Sequence, residues 1–424
     1  MLFNSFEFLV FFPIVTAIYF ILPHRHRWIH LLIASCVFYM AFIPIYLLIL
    51  ILTIIIDYYA GILIENARGN QRKFYLAMSL VANIGVLAVF KYYNFFIANL
   101  NELLHISNYH ASLPLLNIIL PIGLSFHTFQ AMSYTIEVYR GNYPAERHFG
   151  IYALYVMFYP QLVAGPIERP QNVLYQFHEK KSFNYDNVTS GLRLMAWGLF
   201  KKVVVADRLA FMVNEVYNKP NYFHGLPVII ATVFFAIQIY CDFSGYSDMA
   251  LGTARVMGFE LMKNFDRPYF SKSIGEFWRR WHISLSTWFK DYLYISLGGN
   301  RVSIPRGYFN LFFVFMVSGL WHGANWTFIA WGALHGFYQI FGRLTKDTRQ
   351  LIIQKTRLSF LNHSVITIST TFILVTFAWI FFRANTISDA FLIIRSMAES
   401  AKSNWHGTSF TGLSSLLIFY KPIE

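Results

Sequence analysis

The sequence is poor in charge. Only 13% of its 424 residues are Asp, Glu, Lys or Arg, against roughly 25% in soluble domains, which excludes a water-soluble globular enzyme. Cysteine is equally scarce: the two present, Cys36 and Cys241, both lie in apolar runs. Thiols so placed supply neither a disulfide framework nor a metal-ligand spacing, and no metal is expected. At Cys241 a thiol nucleophile competes with the favoured reading, a small core residue. The apolar runs do not alternate with polar residues, which argues against a transmembrane β-barrel. Phe6–Leu22 lacks a basic leading segment and a small-residue cleavage site, so it reads as a retained span and not a signal peptide. No linker, repeat, low-complexity segment or nucleic-acid module is present. The expectation is one membrane-embedded domain over residues 1–424.

What is present is 56% hydrophobic residues and 19% aromatics, in long runs from end to end. This composition predicts an all-α polytopic integral membrane protein. The net charge of +13 gathers between the runs, as positive-inside topology and contact with anionic lipid require. A smaller share is available to an anionic substrate such as a nucleotide-bearing thioester.

Spans are expected at Phe6–Leu22, Trp28–Ala41, Tyr46–Ile64 and Phe74–Leu100. The basic clusters His24–Arg27 and Arg68–Lys73 fall on one side, which points the amino terminus outward. Asp57 and Lys91 are intramembrane charges and so functional candidates, though each also suits pairing with the other or with a backbone carbonyl. Lys91 is near enough to its span's end to snorkel. In Leu113–Arg140, Pro121 and Gly123 predict a broken or re-entrant start. The stripe His127, Gln130, Tyr134 and Glu137 then either lines a cavity or meets another polar helix. The Gly165-Pro166 pair ends the helix of Ile151–Val163. Ser190–Tyr217 reads as an amphipathic interfacial helix. Leu226–Gly258 is too long for one straight crossing, and a break is expected near Gly245, within the polar segment carrying Asp242 and Asp248. Val365–Phe382 is a further span, and Ala390–Met397 and Leu413–Tyr420 are short apolar stretches.

Two histidine segments stand out. Ser318–Trp326 lies between apolar runs that read as membrane helices, so His322 is an ionisable group near bilayer depth. In a helix Ser318, His322 and Asn325 share a face, and Gly319 and Gly323 leave room beside the imidazole. Forty residues earlier, in Lys272–Asn300, helical spacing puts Trp278, His282 and Ser286 on one face, beside Arg279 and Arg280. The plainer readings are a histidine hydrogen-bonded between packed helices and an interfacial anchor helix.

These segments resemble the membrane-bound O-acyltransferase family, in the branch of alginate O-acetyltransferase membrane components. The matching motifs are LPIGLSFHTFQAMSYTIEVYRG (120–141), QLVAGPIERP (161–170), CDFSGYSDMALG (241–252), FWRRWHISLSTWFKDYLYISLGGNR (277–301) and SGLWHGANWTFIAWGALHG (318–336). The resemblance implies a helical bundle with broken or re-entrant and interfacial helices around a central tunnel. His322 would be the tunnel histidine and His282 the second important one. Ser318, Trp321 and Asn325 are tunnel or substrate candidates, as are Arg279, Arg280 and Asp291, and Asp242 and Asp248. The LGGNR ending at 297–301 favours the alginate branch over the teichoic-acid D-alanylation proteins. His127 departs from the Phe or Tyr expected there. Relatives continue into further carboxy-terminal spans, whereas this sequence stops at Glu424 after a short apolar stretch, as a shorter member or a truncated reading frame would.

The implied reaction transfers acetyl from a cytoplasmic thioester, acetyl-CoA being the expected donor, toward a polysaccharide outside the cell in a bacterial inner membrane. A periplasmic acetyltransferase partner is implied too. A base must take the hydroxyl proton, and imidazole suits that near neutral pH. Donors aimed at the thioester oxygen would stabilise the transition state. A covalent acetyl-histidine relay is an alternative, as are a transporter or channel, a non-catalytic platform, and transfer to peptidoglycan or teichoic acid.

Overall fold

The computed structural model describes residues 1–109, 112–356 and 359–399. The expected stretch Leu413–Tyr420 lies outside the described residues. All regular structure among the described residues is helical, and the chain is an all-α polytopic membrane protein. Among the described residues, four helices are long and apolar enough to cross a bilayer: Pro44–Asn66, Asn70–Ile106, Leu226–Val256 and Ser364–Arg383. Phe6–Ile21 is shorter but equally apolar.

The chain divides into two compact units. The first comprises Met1–Phe200, Phe243–Asp266 and Trp278–Val302; the second comprises Lys201–Asp242, Arg267–Phe277 and the described residues from Ser303 onward.

In the first unit, Leu47–Asn66 packs against both Asn70–Leu87 and Leu124–Arg140, and His24–Met40 against Phe149–Met157. The core is aromatic. Tyr159 meets Phe38 at 5.6 Å and Phe11 edge-on at 5.4 Å, and Phe158, Tyr152 and Tyr155 are fully buried. Such pairs add about 0.5–1.5 kcal/mol each beyond their burial. Contacts tie the first basic cluster to the chain around residues 146–178. His24 donates to the His178 carbonyl at 3.2 Å, and His178 pairs with Glu146 at 2.8 Å. Arg147 pairs with Glu65 in the last turn of Leu47–Asn66. His24–Arg27 itself forms the first turn of its helix and not a loop.

The charges inside the spans find specific partners. Asp57 accepts from Ser79 Oγ at 2.6 Å and from Asn83 Nδ2 at 2.8 Å. Lys91 sits in a π-helical turn, Ala88–Tyr92, and donates to Ser125 Oγ at 3.1 Å. The polar stripe on Leu124–Arg140 meets other polar groups. His127 Nε2 lies 2.6 Å from Thr53 Oγ1, and Gln130 donates to the Tyr155 carbonyl at 2.6 Å. Tyr134 accepts from the Glu146 amide at 2.9 Å, and Glu137 accepts from Asn142 and Gln171. The start of this region is non-helical, as expected, up to Gly123, whose φ of +78° opens the helix.

The break expected near Gly245 is absent. Leu226–Val256 is one helix of 31 residues, about 46 Å long. Glycine serves close packing there: a Cβ on Gly198 would come within 2.5 Å of the Gly245 carbonyl, and one on Gly191 within 2.7 Å of the Gly252 carbonyl. Small residues at these crossings let two backbones touch, so Gly245 is an approach point and not a hinge.

In the second unit, Ile304–His322 and Trp326–Leu344 form a tight helical hairpin. Ser364–Arg383 packs on its second arm, and Ile387–Glu399 on Ser364–Arg383.

Candidate functional site

His322 is the last residue of its helix, and Gly323 carries the chain out in extended backbone. The sequence explains this ending: after Gly323, Asn325 caps the next helix, its Oδ1 accepting from the Thr327 amide at 3.1 Å. Asn325 therefore does not share a helix face with Ser318 and His322, as continuous helix would have placed it. Its Nδ2 donates to the Asn385 carbonyl at 3.0 Å.

The space beside Gly319 and Gly323 is filled. A Cβ on Gly319 would stand 2.3 Å from the Phe328 carbonyl, and one on Gly323 would stand 2.1 Å from the Phe328 ring. Both glycines let the hairpin close, and the space of their missing side chains is taken by Phe328.

The ring of His322 is half-buried. It meets Trp321 at 4.9 Å, Trp331 at 5.0 Å and Phe382 at 5.2 Å, each edge-on. Ser318, one turn earlier, is buried. Trp331 stacks on Trp379 at 5.7 Å and also meets His335 at 5.0 Å. Two imidazoles thus flank one indole. His335, wholly buried, was missed by sequence reading, although it lies in the same matched motif; its Leu-His-Gly context imitates a packing residue.

His282, in the first unit, is held differently. The helix expected through Trp278, His282 and Ser286 stops at Arg280 and restarts at Ile283. His282 stands between, with φ 44° and ψ 57°, so the three side chains share no helix face. His282 is 1% exposed. Asn264 Oδ1 lies 3.2 Å from its Nδ1, and also accepts from the Ser284 amide at 3.2 Å and Ser284 Oγ at 2.9 Å. Two donors from Ser284 identify that atom as the amide oxygen, so Nδ1 carries the proton and Nε2 is the basic nitrogen. Phe243 packs edge-on to the ring at 4.6 Å, with Phe126 and Phe265 beyond. Burial lowers this imidazole to about 3, so it is neutral at physiological pH. Asn264, which organises the site, was also missed. It lies 18 residues upstream in irregular chain, where no periodicity points to it.

The tryptophans of this segment are not interfacial. Trp278, Trp281 and Trp288 are all buried, and Trp288 stacks on Phe129 at 3.9 Å. Arg279 is exposed and Arg280 half-buried, with the Arg280 carbonyl accepting from the Asp266 amide at 2.9 Å. Asp291 pairs with Arg169 at 2.6 Å, while its carbonyl accepts from Arg140 at 3.0 Å. Both guanidiniums lie over the Tyr292 ring, at 5.2 and 5.1 Å. Beside Arg169, Glu168 is fully buried and accepts from the Met262 amide and from Asn172. Burial raises its carboxyl to about 7, against those hydrogen bonds. Asp248 is half-buried in the first unit. Asp242 belongs to the second unit and pairs with Lys202 at 2.6 Å, which also holds Asp207 at 2.8 Å.

The sequence pattern of the membrane-bound O-acyltransferase family matches residues 146–388. The chain is 39% identical over 401 residues to a probable alginate O-acetylase of Pseudomonas aeruginosa, covering 94% of this chain and 75% of that one. It is 35% identical over 395 residues to a peptidoglycan O-acetyltransferase of Helicobacter pylori, covering 87% and 73%. A teichoic acid D-alanyltransferase of Streptococcus thermophilus is 31% identical over 229 residues, covering 51% and 55%.

Proposed function

We propose, from the premise that this chain belongs to the membrane-bound O-acyltransferase family, that it passes acetyl groups from a cytoplasmic thioester to a polysaccharide beyond the bacterial inner membrane, with His322 as general base. That it is a membrane O-acyltransferase follows from the family and from the names of its relatives. The donor in this reading is acetyl-CoA and the acceptor an alginate-like surface polymer. A periplasmic acetyltransferase takes the group onward to the sugar.

In the chemical step the hydroxyl oxygen of the group that first accepts the acetyl, before the periplasmic partner takes it onward, forms a bond to the thioester carbonyl carbon while His322 takes its proton. The tetrahedral intermediate collapses, the C–S bond breaks, and the leaving thiolate takes up a proton. A positioned base of this kind contributes about 10²–10⁴-fold. The observation that supports the assignment is the placement of His322: it ends a helix, half-buried, with Trp321, Trp331 and Phe382 packed against its ring. His282 is a positioning residue, fixed by Asn264. Ser318, Trp321, Asn325 and the arginine-bearing segments remain candidates for lining a tunnel between the two sides, within a single domain.

The test compares acetylation of the cell's polysaccharides with the wild-type protein and with His322→Ala at equal membrane abundance. Loss of acetyl in the variant supports the assignment, and unchanged acetyl rejects it. A second acceptor, peptidoglycan, is favoured by the Helicobacter pylori relative. The polymer that loses its acetyl groups decides between them.

A further inference from the structure

Along the first helix runs a cleft that the acetyl-transfer chemistry does not use. It encloses about 820 Å³, in the range of ligand pockets. One wall is Phe6–Ile21 with the residues just before it; the other is Val188–Leu199, with Met249 and Val256 at the floor. Of its twenty lining residues only Asn4, Ser5 and Thr16 carry polar side chains. The rims are exposed apolar residues: Phe6 is 76% exposed, Leu9 68% and Ile21 81%. All of it lies within the first unit.

The two ends differ. At the Phe20–Ile21 end the cleft meets a basic group. Arg27 donates to the Phe20 carbonyl at 3.3 Å and to the Lys181 carbonyl, and its guanidinium lies over the Tyr19 ring at 4.8 Å. Phe183, two residues beyond Lys181, packs edge-on against Phe20 at 5.5 Å and closes that end. Arg25 and Lys180 are exposed beside this group in sequence. The lining is almost wholly apolar, so an occupant needs apolar length and a negative end.

The geometry points to an anionic phospholipid, with one acyl chain in the cleft and its phosphate at Arg25, Arg27 and Lys180; the Lys181 ammonium is paired with Glu179 at 2.6 Å. What favours a lipid over an apolar helix is charge, because a helix brings no phosphate to the basic end. Apolar contact alone does not select this lipid over bulk lipid, because lipid tails are as apolar as the wall. The basic end does, at about fivefold for each basic residue near the surface.

The test is native mass spectrometry of the full chain in detergent, titrated with dioleoylphosphatidylglycerol or dioleoylphosphatidylcholine. The wild type is expected to retain the glycerol lipid at least fivefold better. Arg25→Glu with Lys180→Glu should bring it down to the choline lipid. Ala17→Trp with Ala196→Trp, which fill the cleft, should reduce retention of both lipids at least tenfold. Phosphatidylglycerol bound equally well by the filled variant would overturn the proposal, as would equal retention of the two lipids by the wild type. If the filled variant does not elute as a single species, a phosphatidylglycerol with a photoreactive acyl chain decides on the wild type: label on the peptides carrying Phe12 or Met195 supports the site, and label elsewhere alone overturns it. A dimer that the filled variant turns into monomer, or an apolar helix of another protein crosslinked into the cleft, also overturns it.

Discussion

His282 and His322 are both imidazoles among aromatic rings, and they are held in opposite ways. His282 is sealed, 1% exposed, on a backbone with φ 44°, and one nitrogen is committed to Asn264. His322 is half-buried at a helix end, against the edges of Trp321, Trp331 and Phe382. The hydrogen bond to Asn264 fixes the tautomer and direction of His282, and its burial closes it to solvent. A general base must meet its substrate and exchange a proton with it, and that demands access more than rigidity. The contrast is what the proposed roles rest on, with His322 as base and His282 as positioning residue.

Exchanging the two roles by mutation tests this contrast most severely. His322→Ala should lower acetyl transfer in membranes by about 10²–10⁴-fold. His282→Asn keeps a short polar side chain that tolerates the left-handed backbone and should lower it only about tenfold. Equal losses would erase the distinction. Next in size is Asn264→Leu, which strips the acceptor from His282 Nδ1 and from both Ser284 donors. Unsatisfied buried groups cost about 1–3 kcal/mol, so a lower melting temperature should accompany a transfer rate down several-fold. A variant that melts like wild type would show that His282 is not pinned from this side.

The hairpin beneath His322 offers a sharper pair. Gly319→Ala puts a methyl 2.3 Å from the Phe328 carbonyl, whereas Gly342→Ala meets nothing within 4 Å. The first should destabilise the protein by about 1–3 kcal/mol. The second should be neutral or slightly stabilising, since Ala is the better helix former. Thermal melts in detergent check both.

A further effect is one of pH. Glu168 is raised by burial from 4.5 to about 7. Between those values the folded state holds a proton that the unfolded state has released, so this group's contribution is fully present below pH 4.5 and is lost as pH rises through about 7. The full span is worth at most about 3 kcal/mol. Glu168→Gln should flatten the fall in stability between pH 5 and 8. An unchanged slope would move that titration to another group.

Much of the fold was legible because apolar length is a direct readout of bilayer thickness. Phe6–Leu22 and Tyr46–Ile64 were placed within two residues of the helices observed at Phe6–Ile21 and Leu47–Asn66. Glycine was where sequence reading failed. Gly245, Gly319 and Gly323 were taken for a hinge and for open space, and all three are contact points between helices, which no local pattern encodes. The helix through His282 failed for a related reason. Its periodicity is helical, but Asn264 captures Ser284 from 20 residues away and turns the chain at a position where spacing predicts none. Asn264 and His335 share that cause: their partners are distant in sequence.

The central claim is best tested by chemical rescue. Acetyl transfer from labelled acetyl-CoA is measured in membranes carrying His322→Ala or His282→Ala, with and without added imidazole. A base at 322 predicts near-complete loss in His322→Ala, with a rate that rises with imidazole concentration, and no such rise in His282→Ala. Transfer at the wild-type rate in His322→Ala, or rescue confined to His282→Ala, would contradict it.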